Sequence, residues 1–197
     1  MKYFRFALAS ATFLFALNLG LLDNFISLND LLRENRVYYF KKNKEPVSGP
    51  VKTFWKNGYV ENTGTLLKGI KEKDWEYFHD NGKLRAKGSY IKGKKDGSWL
   101  TFFSNGNMRS KEAYSVGVKS GIWTFYYQSG NIRTEEEYKN DQLEGKWQFY
   151  LESGELIESG FQKNGVRDGF LNIFDKSGDL IKKETWAMGV LMKVEIY

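Results

Sequence analysis

Residues 96–114 read DGSWLTFFSNGNMRSKEAY, and the tryptophan in that stretch decides the fold. Counting outward from Trp99 in steps of 24 residues meets Val51, Trp75, Trp123, Trp147 and Leu171. Three places after each stands an aromatic residue: Phe54, Phe78, Phe102, Tyr126, Tyr150 and Phe174. Seven places after each stands a glycine: Gly58, Gly82, Gly106, Gly130, Gly154 and Gly178. An aliphatic residue follows two places later, at Val60, Leu84, Met108, Ile132, Leu156 and Leu180. Columns in register at a fixed period are the mark of a repeat architecture, not of a local site motif.

Two further glycine columns keep the same step. One runs through Gly69, Gly93, Gly117, Gly165 and Gly189 with Asp141 in the remaining slot; the other runs through Gly49, Gly97, Gly121, Gly145 and Gly169 with Lys73 as its exception. A weaker aromatic column holds Tyr90, Tyr114, Tyr138 and Trp186. Asn-Gly or Ser-Gly at each turn glycine predicts a two-residue turn with positive φ, between an aromatic β-prone segment and an alternating apolar/polar one. Each unit therefore reads as a β-hairpin, joined to the next by a longer Gly/Lys/Asp-rich turn such as Lys92–Gly97. The expected fold is all-β, an elongated antiparallel meander of six 24-residue hairpin repeats: 49–72, 73–96, 97–120, 121–144, 145–168 and 169–192, with 193–197 as a C-terminal strand. Strand alternation puts the tryptophan column and the aromatic column on opposite faces. Either a bulge shifts the phase, or both faces carry an aromatic row.

The chain begins MKYFR and continues with the apolar stretch 6–22, FALASATFLFALNLGLL. A basic start before an apolar core is the signature of an export segment, so residues 1–22 read as a signal peptide that is cleaved or a hydrophobic membrane-anchor helix that is retained. Lys2 and Arg5 before it, and Asp23 and Asp30 after it, favour the bulk of the chain outside. The expected location is the membrane, facing the periplasm or cell exterior, or the medium if the segment is removed. Residues 23–48 read as a linker and N-terminal cap with a short helix near Ser27–Asp30, where a capping box and Leu28, Leu31 and Leu32 suggest a helical turn.

Gly97-Ser-Trp99, Gly121-Ile-Trp123 and Gly145-Lys-Trp147 with their turn glycines resemble the MORN-repeat variant of bacterial YwqK-type antitoxin proteins. The resemblance spans about residues 49–190, with Val51 and Leu171 departing from tryptophan at the ends. It implies an elongated hairpin sheet used for protein–protein contact, assembly or membrane association, and an antitoxin role in which a cognate toxin is bound and neutralised.

Chemistry is sparse. The chain of 197 residues has no cysteine, which excludes disulfides, thiol catalysis and cysteine zinc sites. Its formal charge of +6 comes from interspersed Lys, Arg, Asp and Glu, as in a solvated surface. His79 is the single histidine, so any His-based metal cluster or catalytic triad would pass through it; it reads as structural. Glu135-Glu136-Glu137 reads as a solvated face, and Lys92–Gly97 lacks the spacing of a phosphate loop. Lys68, Lys71, Lys73, Lys92, Lys94 and Lys95 read as solvated turn lysines, or as a basic edge toward an anionic surface.

No catalytic residue, cofactor, metal, nucleic acid or small-molecule substrate is expected. The expected role is a non-catalytic scaffold for a protein partner, antitoxin- or immunity-like, attached to the membrane through residues 6–22 if that segment is retained. The alternative is an envelope module that binds glycan or lipid headgroups through exposed aromatics. Recognition falls to residues that differ between copies, and Phe103, Tyr127, Arg109 and Arg133 are the candidate interaction surface.

Overall fold

The computed structural model of the chain describes residues 25–197; the apolar stretch 6–22, expected as a helix, lies outside the described residues. Three short strands come first: β1 (Ile26–Ser27), β2 (Leu31–Glu34) and β3 (Val37–Phe40). Hairpins follow in chain order: β4 (Gly49–Phe54) with β5 (Val60–Leu67), β6 (Ile70–Phe78) with β7 (Leu84–Ile91), and β8 (Lys94–Phe102) with β9 (Met108–Ser115). After the two-residue β10 (Val118–Lys119) come β11 (Gly121–Tyr126) with β12 (Ile132–Lys139), β13 (Gln142–Tyr150) with β14 (Leu156–Lys163), and β15 (Val166–Phe174) with β16 (Leu180–Ala187). The last strand is β17 (Val190–Ile196). From β4 to β17 each strand lies beside its sequence neighbour in one long antiparallel sheet, with β10 pairing off the path against β9.

The two kinds of turn are the reverse of the expected ones. At Asn57-Gly58 the Gly58 N–H donates to the Trp55 carbonyl at 2.9 Å and the Trp55 N–H to the Tyr59 carbonyl at 2.8 Å, which closes a three-residue loop. Only the glycine is left-handed there, at φ +88°. Asn57 stays right-handed because its Oδ1 accepts the Tyr59 N–H (3.2 Å) while its Nδ2 reaches the Asp80 carbonyl of the next hairpin (2.6 Å). Asn81 repeats both contacts, toward Lys83 N–H and the Ser104 carbonyl. The true two-residue turns lie between hairpins, where both residues have positive φ: Lys68-Gly69, Lys92-Gly93, Val116-Gly117, Asn140-Asp141, Asn164-Gly165 and Met188-Gly189. These turns are stitched in series, since the Gly93 N–H donates to the Lys71 carbonyl (2.9 Å) and the Gly117 N–H to the Lys95 carbonyl (2.6 Å).

Two irregularities aim the side chains. Two places before each of the four repeat tryptophans the backbone is left-handed, at Lys73 (φ +58°), Gly97 (+67°), Gly121 (+67°) and Gly145 (+126°). The register slips around this point, as between Thr63 and Thr65, and the indole swings over the preceding strand. There the Trp99 Nε1–H donates to the Ser89 carbonyl and that of Trp123 to the Ala113 carbonyl, both at 3.0 Å. The ring needs a bare backbone beneath it at Gly88, where a Cβ would stand 2.3 Å from the Trp99 ring; Gly64 has the same relation to Trp75.

A second slip falls before every member of the aromatic column. Tyr77 pairs with Ala86 and Phe78 with Leu84, so Arg85 is the extra residue. Met108 and Ser110 skip Arg109 in the same way, and Ile132 and Thr134 skip Arg133. Both readings of the aromatic pattern therefore hold at once. A bulge is present, and the tryptophan face is packed while Phe54, at 39% exposure, leads a less buried row on the other face.

The first end of the sheet is capped. The segment around Ser27 is a strand and one 3-10 turn at Leu28–Asp30, not a helix, and the Ser27 side chain makes no capping bond. Leu31 and Leu32 enter β2 instead, because β2 pairs with β3 and the Tyr38 N–H bonds the Gly69 carbonyl at 2.8 Å. β1 lies parallel to β4, with Ile26 opposite Val51. This cap closes a core of Leu31, Val47, Val51, Leu66 and Trp75, against which Tyr38, Tyr77 and Tyr90 pack. Apolar burial of this kind contributes about 1.5–3 kcal/mol per large side chain.

Candidate interaction face

The tryptophan side of the sheet carries rows of rings and cations. Tyr90 stands edge-on between two tryptophans, with ring centroids 6.1 Å from Trp75 and 5.0 Å from Trp99. Tyr114 and Tyr138 flank Trp123 at 5.0 and 5.3 Å. Four places before each of three tryptophans a lysine lies over the rings: Lys71 is 4.0 Å from the Trp75 centroid, Lys95 is 4.4 Å from Trp99, and Lys119 is 4.4 Å from Trp123. The same ammonium groups lie 5.2, 4.8 and 4.5 Å from Tyr90, Tyr114 and Tyr138. Lys71 and Lys95 were expected in solvated turns. They leave the turn because each sits in the first strand residues after it, where alternation returns the side chain to the ring face.

Burial sets the electrostatics here. Desolvation, with Arg33 adding like-charge repulsion, pushes the Lys71 ammonium down to about 8. Burial raises the Tyr138 hydroxyl to about 12, helped by its 2.8 Å bond to Glu136, and it raises Tyr77, Tyr90 and Tyr114 as well. Glu112, Glu136 and Glu184 sit opposite Trp99, Trp123 and Leu171 in the column that holds Gly64, Gly88 and Gly160 elsewhere. Glu112 takes the Tyr114 hydroxyl at 2.9 Å and pairs with Lys95 at 3.4 Å. That column went unread in the sequence because glycine and glutamate share no chemical label, although their 24-residue spacing would have exposed it.

The bulge residues form a second cationic row. Arg85 lies 5.8 Å from the Tyr77 centroid and Arg133 lies 5.8 Å from that of Phe125. Arg109 faces Thr101 instead of a ring, and the space so opened is a groove of about 440 Å³ lined by Phe103, Arg109, Glu112, Phe125 and Arg133. A neighbouring groove of about 430 Å³ joins Lys71, Arg85, Lys95 and Arg109 with Tyr77 and Tyr90. Among the described residues, Arg85, Arg109 and Arg133 make no ion pair within 4.0 Å.

The structure thus brings Phe103, Arg109 and Arg133 to one groove. Tyr127 is elsewhere: its hydroxyl donates to the Tyr150 carbonyl at 2.7 Å, stapling two adjacent hairpins. Trp55 does the same to the Phe78 carbonyl (3.2 Å), and His79 Nε2 lies 3.0 Å from the Phe102 carbonyl. The lone histidine therefore occupies a stapling position. Of the repeat tryptophans, Trp75, Trp99 and Trp123 are buried. Trp147 is only partly buried, and its Nε1 has no partner; Leu143 takes the place of the lysine above it. Phe78, Phe102, Tyr126 and Tyr150 end their strands half-buried, and Gly82, Gly106, Gly130, Gly154 and Gly178 repeat the left-handed turn of Gly58. No group of three or more His, Asp or Glu side chains suited to a metal ion occurs among the described residues.

The architecture defined by these rows is a β-hairpin repeat sheet. The family model described as MORN repeat variant matches four of its segments, residues 71–92, 95–115, 119–140 and 143–164. Each segment is one hairpin with its tryptophan, from the residue in the lysine column to the next two-residue turn. No curated protein matches the chain.

Proposed function

We propose that the protein is a non-catalytic scaffold that binds a protein partner along its tryptophan face, in the manner of an antitoxin or immunity protein. The observation that carries this reading is the groove of Phe103, Arg109 and Arg133, in which arginines without acidic partners stand beside half-buried rings. Arginine and aromatic side chains in a shallow groove are the composition of interaction hot spots. Six units of 24 residues over 49–192 would present that composition as an extended surface, the usual use of a repeat scaffold. Residues 6–22 would place it outside the cytoplasm, tethered or released.

Co-purification tests it. The full chain and an Arg109→Glu/Arg133→Glu variant are recovered from their native cells, and the variant should retain its fold but lose at least tenfold of a stoichiometric partner. A chain that emerges alone, or a variant that keeps its partner, rejects the reading. A second reading, an envelope module for anionic glycan or lipid headgroups, draws on Phe170, which is 52% exposed with Lys183 4.1 Å from its ring centroid. Binding to anionic vesicles or cell-wall polymer that depends on Phe170 and not on Arg109 would favour it.

A further inference from the structure

The two ends of the sheet are unlike. At the first end, β1 and the cap cover β4. At the other, nothing among the described residues pairs with the outer side of β17. That strand is apolar and open: Val190 is 60% exposed, Met192 64% and Ile196 72%. Natural sheets blunt such edges with charge, proline or a covering element, because a free row of N–H and C=O groups pairs with any suitable strand.

The backbone phase of this edge is fixed. The Tyr197 N–H donates inward to the Ile181 carbonyl at 3.0 Å. Antiparallel alternation then directs the backbone groups of Glu195 and Lys193 inward, onto Lys183 and Thr185, and those of Val194 and Ile196 outward. The side chains on either side of Val194 carry opposite charges: Lys193 and Glu195 lie on the same face, 2.8 Å apart.

We propose that the outer edge of β17 pairs with β17 of a second copy of this chain, antiparallel, about a two-fold axis through Val194. In that register Val194 meets itself through its outward N–H and C=O. Lys193 stands opposite Glu195 of the second copy and Glu195 opposite its Lys193. Met192, the extra residue of the slip between Lys193 and Leu191, lies toward Ile196 of the second copy, so apolar side chains meet apolar ones next to the charged pairs. Centring on Lys193 or Glu195 instead keeps the outward backbone groups in use but sets like charges face to face across the axis. The register is self-complementary, as a two-fold interface must be. It continues the tryptophan face across the axis, and a single edge strand gives a reversible dimer.

The absence of cysteine makes the test direct. The full chain bearing Val194→Cys, in mild detergent, is oxidised with copper–phenanthroline. A disulfide-linked homodimer should form in at least tenfold higher yield than with Ile122→Cys, a control at a residue 64% exposed in an interior strand. Lys193→Glu in the Val194→Cys background sets two like-charge pairs across the axis and should lower the association constant about tenfold. Adding Glu195→Lys to that variant should restore it. Equal yields from Val194→Cys and Ile122→Cys overturn the proposal, as does capture of a different protein or protection of the thiol by residues 1–24. So does a dimer indifferent to Lys193→Glu or not rescued by the swap.

Discussion

At Gly88 a hydrogen atom takes the place of a side chain because the Trp99 ring lies on the backbone, with its Cδ2 2.3 Å from where a Cβ would be. Gly88 has ordinary negative φ, so close approach alone demands glycine there. Gly88→Ala should displace the indole and weaken its 3.0 Å bond to the Ser89 carbonyl. A loss of about 1–3 kcal/mol is expected in urea unfolding, with a red shift of tryptophan emission as the ring meets water. At residue scale the sequence is unevenly legible. The tryptophan and turn-glycine columns were plain because one residue type recurs. The column under the rings was not, because glutamate occupies it in three copies, where Glu112, Glu136 and Glu184 bond Tyr114, Tyr138 and Trp186 instead. Among the candidate recognition residues, Arg109 and Arg133 line one groove with Phe103, and Tyr127 lies apart from it. Its hydroxyl is engaged by Tyr150, a partner 23 residues away that no local pattern discloses.

At the scale of the element, each hairpin is defined by two turns that make different demands. The loop at Asn-Gly needs one left-handed residue and uses the asparagine amide to reach the next hairpin. The link between hairpins needs two, and in one copy the first of them is Val116 at φ +45°. A β-branched side chain is strained in that region, and asparagine is the preferred residue for it. Val116→Asn should therefore raise stability by about 1–2 kcal/mol, read as a higher urea midpoint with unchanged slope. Its N–H bond to Asp96 Oδ1, 2.8 Å long, is a backbone contact and survives the change. The identity of these turns was hidden because Asn-Gly favours a two-residue turn in isolation. Here the asparagine side chain is recruited by the neighbouring hairpin, and tertiary contact overrides local preference.

Across the whole molecule, stability should fall along the sheet. A hairpin touches only its neighbours, so each stands on what its neighbours bury. The cap seals Val47, Val51, Leu66 and Trp75 to 1% exposure or less, whereas Trp147 is only partly buried with an unpartnered indole N–H. Amide exchange should be slowest from β4 to β8 and faster by at least tenfold from β13 to β16; uniform protection would show that the sheet opens as a single unit. The sequence by itself determined the hairpin, its period and the strand order, because a fixed spacing of turns and rings leaves a meander as the one way to bury each hairpin against the next. Only the tertiary structure decided which side of the sheet gathers the cations, how the first end is sealed and that no described residue pairs with the outer side of the last strand. Those depend on bulges and on contacts between residues more than 20 positions apart, where a left-handed backbone at Gly97 or an extra residue at Arg109 redirects a side chain.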